Sequence, residues 1–171
     1  SEEALRAYLH EHAEALRKAL ERLGGKQEWT LRLEFEPAKW SESLASRVDS
    51  LRTLQSDIDS AAPGKAFLLR KKLDDEKKRS SKEAEQQVVA EVEQLVLDKL
   101  RCETIAETRE RRDGAFPQIN VLINRDEESI LQELHATLTE RYSAEGVNLG
   151  LTGPWPPYSF AATYGTTNDE R

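Results

Sequence analysis

The stretch Trp29-Thr30-Leu31-Arg32-Leu33-Glu34-Phe35-Glu36-Pro37 sets the class of fold. Its apolar residues (29, 31, 33, 35) alternate with polar or charged ones, so one face is apolar and the other wet. That period of two predicts a half-buried strand, and Pro37 ends it. Helical patterns flank the strand. Upstream, Leu5, Leu9, His12, Leu16, Leu20 and Leu23 recur every three or four residues, which predicts one amphipathic helix stopped by Gly24-Gly25. Downstream, Leu44, Val48, Leu51, Leu54 and Ile58 predict a second helix from near Ser41 to Ser60, closed by Ala61-Ala62-Pro63-Gly64.

From Lys65 to Asp113 the chain holds neither Gly nor Pro. One straight helix of that length would extend roughly 70 Å, against about 40 Å for a compact domain of this size. The region 65–112 is therefore expected to project as an arm or to fold back, as one helix or as a hairpin. Phe67, Leu68, Leu69 and Leu73 are apolar, 74–87 offers a core almost nothing, and apolar residues resume at Val88 and run to Cys102 and Ile105. Ser80 with Glu83 has the spacing of a capping box. Near Phe116 the period returns to two. Ile119, Val121 and Ile123 share a face while Leu122 keeps the other partly apolar, the pattern of a central strand. Asn124 and Glu127 open a helix carrying Ile130, Leu131, Leu134, Leu138 and Tyr142, and Val147, Leu149 and Leu151 mark a last strand. The expected class is α+β: a ferredoxin-like sheet of three to four strands, helices on one face, and a long, partly projecting charged helical region. Residues 1–162 are expected to form the domain and 163–171 a polar, flexible tail.

Composition narrows the function classes. Among 171 residues there are 25 basic and 32 acidic side chains, one cysteine and no methionine; 37% are apolar and 33% charged. No apolar run approaches the roughly 20 residues that cross a bilayer. A single cysteine makes no internal disulfide and no cysteine-based zinc site. The net charge of −7 disfavours non-specific attraction to nucleic acid or anionic membranes.

Chemistry-bearing constellations are scarce. His10 and His12, two positions apart on a helix, point away from each other and cannot share one ion there. His135 has no second ligand at a useful spacing, and Cys102 is expected on an apolar helix stripe as a small hydrophobe. No phosphate loop, nucleophile elbow or His-Glu-x-x-His is present. No cofactor is implied and no catalytic residue is assigned. The basic residues Arg70, Lys71, Lys72, Lys77, Lys78 and Arg79 form the one cluster that could attract phosphate. They are interleaved with Asp74, Asp75 and Glu76, the pattern of helix ion pairs.

The unusual segment is Gly153-Pro154-Trp155-Pro156-Pro157-Tyr158-Ser159-Phe160. Its prolines hold the chain extended, at a density no regular strand tolerates. Trp155, Tyr158 and Phe160 then offer large aromatic area on a loop with little entropy left to lose. Two roles stay open: capping the sheet against the first helix, or recognising a partner, since interfaces favour Trp and Tyr.

The stretch Leu151-Thr-Gly-Pro-Trp-Pro-Pro-Tyr-Ser-Phe160 also resembles the closing motif of the GvpL/GvpF family of gas vesicle proteins. Three further stretches agree, in order. Glu28-Trp29 before an alternating strand is similar to the family's Glu-Trp strand start, with a Leu-rich helix ahead of it. Pro63-Gly-Lys-Ala-Phe-Leu-Leu-Arg70-Lys-Lys72 resembles its Pro-Gly-x-Ala-aromatic-Leu-Leu-Arg helix opening, and Asn124-Arg125-Asp126 follows an apolar strand as in the family. Thr30 departs from the pattern, where glycine is common, as does the strand Gln118–Ile123. Family members carry a preceding, ferredoxin-like domain. The resemblance therefore implies the C-terminal domain of a longer protein, which fits the absent methionine. It also implies a non-enzymatic accessory role in assembling gas vesicles, in the cytoplasm and associated with them. The implied partners are the hydrophobic shell protein and other gas vesicle proteins, with no nucleic acid and no membrane. The family supplies no catalytic residues, so candidate contacts come from the physical reading alone: Pro154, Trp155, Pro156, Pro157, Tyr158 and Phe160 in the loop, and Arg70, Lys71, Lys78 and Arg79 on the helical region. The competing function is a nucleic-acid-binding α+β domain using residues 70–79, which predicts steeply salt-dependent binding.

Overall fold

Strand β1, Lys26–Phe35, lies inside the sheet with Trp29, Leu31 and Leu33 buried, as its alternation requires. The structure, a computed structural model, describes residues 1–111 and 114–161. Ahead of β1 stand helices α1, Glu2–Glu11, and α2, Ala13–Leu23; after it come α3, Pro37–Arg47, α4, Asp49–Ser60, and α5, Pro63–Lys99. Strands β2, Glu103–Arg111, and β3, Gly114–Asn124, then lead through a short 3₁₀ turn into α6, Glu128–Ser143. Strand β4, Val147–Trp155, and a final turn of helix, α7, Tyr158–Ala161, complete it. The strands lie in the order β2-β3-β1-β4, every neighbouring pair antiparallel. A strand, helical crossover, two strands, a helix and a last strand in that spatial order is the ferredoxin-like arrangement, and β3 is central as expected.

Register assigns the faces. Trp29 opposes Val121, Leu31 opposes Ile119 and Leu151, and Leu33 opposes Leu149. With these pack Val88, Val92 and Val96 of α5 and Leu131, Leu134, Leu138 and Tyr142 of α6. Glu28, Thr30, Arg32 and Glu34 point the other way, opposite Leu122, Asn120 and Gln118 of β3 and Gly150 and Asn148 of β4. A side-chain clamp ties three helices together on the core side. Arg47 of α3 ion-pairs with Glu91 of α5 (3.1 Å) and with Glu145 just past α6, while Tyr142 Oη donates to Glu91 (3.0 Å).

Several expected boundaries shift. The first helix is two, with His12 at the junction (φ −102°, ψ 11°), and its apolar residues Leu5, Leu9, Leu16 and Leu20 are exposed rather than packed. The helix expected over 41–60 is also two, parted at Val48, whose extended backbone (φ −118°, ψ 109°) turns α4 away while keeping Leu51, Leu54 and Ile58 buried. The region 65–112 is neither a hairpin nor wholly helical. It is one helix of 37 residues, about 55 Å long, that stops at Lys99 and is followed by β2. Ser80 starts no helix: it is buried mid-α5. Nor is the 74–87 stretch wholly solvated. Ser80 and Ala84 are buried there, and Trp40 of α3 donates its indole N–H to Ser81 Oγ at 3.0 Å. Small side chains let α3 approach α5 closely, a contribution that an apolar tally misses. Asn124 and Glu127 open the next helical segment as expected, with the Glu127 carboxylate accepting from the Asn124 backbone N–H in a capping box. The boundary at 162 and the tail 163–171 lie outside the described residues.

The last strand runs three residues further than its alternation suggested. β4 is an edge strand, where proline costs no ladder bond on the open side, and its register shifts between Glu28 and Thr30: Thr30 opposes Thr152, but Glu28 opposes Trp155. Gly153 and Pro154, joined by a cis peptide, take up the extra length. Gly153 sits at φ +146°, and a Cβ there would lie 2.7 Å from Trp29 Cδ2 and 3.0 Å from the Glu28 carbonyl oxygen.

Two measurements check these contacts. Gly153→Ala should destabilise the protein by about 1–3 kcal/mol, because ring and backbone must move and the φ is unfavourable; urea unfolding reads this directly. Glu103, at the start of β2, accepts from Arg22 at the end of α2 and from Lys26. The Arg22 hydrogen bond, then its charge and Lys26, hold the Glu103 carboxyl below its ordinary value of 4.5. Its contribution to stability is thus fully present above that value and disappears as pH falls through the lower folded one. Glu103→Gln should therefore cost about 0.5 kcal/mol near neutrality, solvent screening included, and progressively less as the pH falls below 4.5.

Candidate functional site

The proline-rich loop is held by residues on the polar face of the sheet. Glu28 is buried, and its carboxylate accepts from the Ser159 backbone N–H (2.9 Å) and Oγ (2.7 Å). Ser159 Oγ in turn accepts from Asn120 Nδ2 at 3.2 Å. Asn120 is braced by Thr30, whose Oγ1 donates to it at 3.0 Å, and it donates onward to Glu107 at 3.0 Å. A buried carboxylate is tolerated only when such donors satisfy it, so this network fixes where the loop can sit. On the opposite side of the same strand the Trp29 ring receives Gly153.

What the loop then presents divides its aromatics. Phe160 is only 2% exposed, so of the six loop residues expected to contact a partner this one anchors the segment instead. Trp155 at 51% and Tyr158 at 72% face solvent, and Pro154 and Pro156 are exposed between and beside them. Trp155 and the prolines form one wall of a groove of about 630 Å³; Leu20, Leu23 and the Gly24-Gly25 turn form the other. Leu20 is 74% exposed. The loop thus meets α2, but across an open groove rather than a closed cap.

The basic positions do not converge on this groove. Arg70, Lys71, Lys78 and Arg79 are all exposed along α5. Arg79 ion-pairs with Glu76, whose hydrogen bond and charge raise its pKa further. Lys77 and Lys78 border a separate recess beside Trp40 and Ser81.

Sequence reading missed Glu28, Asn120, Glu107 and Ser159 as a unit, and Leu20 and Leu23 as a groove wall. One signal was available. Asn120 interrupts an otherwise apolar run in a central strand, and a polar residue there needs a buried partner. His10 and His12 do not share one helix, because the chain breaks at His12. His12 stands edge-on to Tyr8 (4.2 Å between ring centres), and His135 Nε2 lies 3.0 Å from the Leu149 carbonyl. Among the described residues no group of three or more His, Cys, Asp or Glu side chains is placed to hold a metal ion. Burial, and secondarily Glu127 and Glu103, pushes the Cys102 thiol up to about 11, unlike an activated nucleophile. No helix among the described residues is long and apolar enough to cross a membrane.

Comparison with known proteins places this geometry. In sequence the chain is 30% identical over 166 residues to gas vesicle protein L of Haloferax mediterranei, covering 92% of this chain and 51% of that protein. It is 28% identical over 170 residues to gas vesicle protein L1 of Halobacterium salinarum, covering 95% and 59%. The chain therefore spans between half and three-fifths of the length of these relatives. In structure it resembles the gas vesicle protein GvpF from Anabaena sp. PCC7120, with a TM-score of 0.69 at 13% identity over 94% of this chain and 64% of that one. It also resembles GvpF from Microcystis aeruginosa, with a TM-score of 0.63 at 10% identity over 94% and 65%; at such identities the likeness speaks for the fold. The family described as gas vesicle synthesis protein GvpL/GvpF matches residues 1–162, which include the Glu28-Trp29 pair and the Gly153–Phe160 loop that it grips, and the chain belongs to that family.

Proposed function

We propose that this chain is a non-enzymatic accessory factor in gas vesicle formation, acting in the cytoplasm at the vesicles. On this reading it binds the hydrophobic shell protein and other gas vesicle proteins through the groove between Trp155 and Leu20. The observation that carries the proposal is the exposure of Trp155 and Tyr158 on a loop already fixed by Glu28, Ser159 and Phe160. An exposed aromatic costs least to bind when its backbone is ordered beforehand, and Leu20 supplies apolar area beside it. The hydrophobic shell protein fits such a groove by its chemistry.

Nucleic acid is the weaker reading. The cluster at 70–79 is spread along α5, and Arg79 is committed to Glu76. Binding to DNA or RNA that fell steeply with salt would be required for it.

Trp155→Ala and Tyr158→Ala should each weaken shell-protein binding by about 2 kcal/mol, the range of an interface anchor, and reduce vesicle formation in cells. Both sites are exposed, so unfolding curves should stay within about 0.5 kcal/mol of the parent. Unchanged binding by folded variants refutes the groove. A non-catalytic Cys102 has its own signature. Below pH 9 its alkylation by iodoacetamide should lag well behind an exposed cysteine, and Cys102→Ala should leave vesicle formation intact.

A further inference from the structure

The tip of the α4–α5 hairpin carries a second exposed apolar feature, separate from the loop. Ala66 and Leu73 of α5 are buried, as are Leu51, Leu54 and Ile58 of α4, so the inner side of the hairpin is satisfied. Phe67 and Leu68 nevertheless stand 69% and 67% exposed on the outer side. The four cations around them follow from helical geometry. Lys71 lies one turn on from Phe67, Lys72 one turn on from Leu68, and Lys65 one turn before Leu68, with Arg70 alongside. Between Asp59 and Asp74 the sequence has these four cations and no carboxylate, in a chain of net charge −7. Among the described residues none of the four forms an ion pair, whereas Arg52 of α4 and Arg79 of α5 do. Adjacent Phe and Leu in water, ringed by unpaired cations, is an unfilled contact rather than a solvated helix face.

We propose that Phe67 and Leu68, with Lys65, Arg70, Lys71 and Lys72, form a second interaction surface. It takes an acidic surface with an apolar recess on another gas vesicle protein. The inference rests on the accessory role proposed above but uses a different part of the molecule. Charge complementarity selects the occupant. A discrete acidic patch within a Debye length of about 8–10 Å is governed by the local four positive charges. An extended anionic bilayer meets the net negative charge of the whole chain as well. Two neighbouring anchors suit a recess, and the cations supply orientation and on-rate.

The test uses the full chain and two double variants, Phe67→Ser with Leu68→Ser and Lys71→Glu with Lys72→Glu, each checked for unchanged circular dichroism. The probes are the purified gas vesicle proteins of the same organism, measured by biolayer interferometry at 50 and 500 mM NaCl. The expected result is at least one acidic binder that loses about tenfold or more in affinity to both variants, weakens with salt, and binds Trp155→Ala normally. If gas vesicle proteins bind parent and tip variants alike, the tip surface is wrong and the accessory role stands. If none binds the parent, both fail. Tip-dependent binding to vesicles of 70% phosphatidylcholine and 30% phosphatidylglycerol, or tip-dependent self-association in sedimentation, would assign the surface to a membrane or to a second copy and overturn the proposal.

Discussion

The close approach of Gly153 to the Trp29 ring is the contact on which the exposed end of the molecule depends. An edge strand ending in prolines has no ladder to hold it on its open side. Here the register shift lets its last residues cross the end of β1, with the indole beneath the glycine and the Glu28 carboxylate capturing Ser159 beyond. Neighbouring residues of one strand, facing opposite ways, thus grip the closing segment at two points. The cost is visible: Trp29 Nε1 is buried without a hydrogen-bond partner, a penalty of about 1–3 kcal/mol. Packing of a large ring against a backbone with no Cβ, and the satisfied network around Glu28, offset it.

This device explains why a surface loop can be both aromatic and still. Ser159 is held by Glu28 and Asn120 of the sheet and Trp155 pairs with Glu28 in the ladder, so the positions of Trp155 and Tyr158 are inherited from the sheet. Binding by such a surface sacrifices little conformational freedom. The long helix α5 plays the complementary role on the other layer. One part of it closes the core through Val88, Val92 and Val96, and the clamp at Arg47 and Glu91 fixes its angle to α3 and α6.

How much of this was legible varies with the physical signal. β1 and α6 were readable because one face is largely buried and the other wetter, which writes the period into the residues, and β3 because an apolar run buried on both faces from Ile119 to Ile123 marks a central strand. The helical character of the region after Pro63 was readable from the absence of Gly and Pro, but neither its continuity as one helix of 37 residues nor its end was. Leu100, Cys102 and Ile105 continue a plausible apolar series, while β2, an edge strand, offers Thr104 and Ala106 toward the helix side and acidic Glu103 and Glu107 away from it. No alternation of apolar and polar marks it. The amphipathic pattern of the first 23 residues was also real, yet periodicity says which side is apolar and not what covers it; nothing in the described structure covers Leu5 or Leu9. At the candidate site the aromatics stood out by composition, whereas the split between anchoring Phe160 and exposed Trp155 follows from hydrogen bonds made across 131 residues of sequence.

The distribution of the three tryptophans has a practical corollary. Trp29 and Trp40 are enclosed, one under the glycine of the bulge and one against Ser81, while Trp155 alone is open to solvent. The chain therefore carries its own optical label at the groove. Quenching by a soluble agent such as acrylamide samples the loop selectively, and the two shielded indoles report separately on whether the sheet and the α3–α5 contact remain intact. Events at the recognition surface can thus be told apart from loss of the fold with no dye and no engineered cysteine.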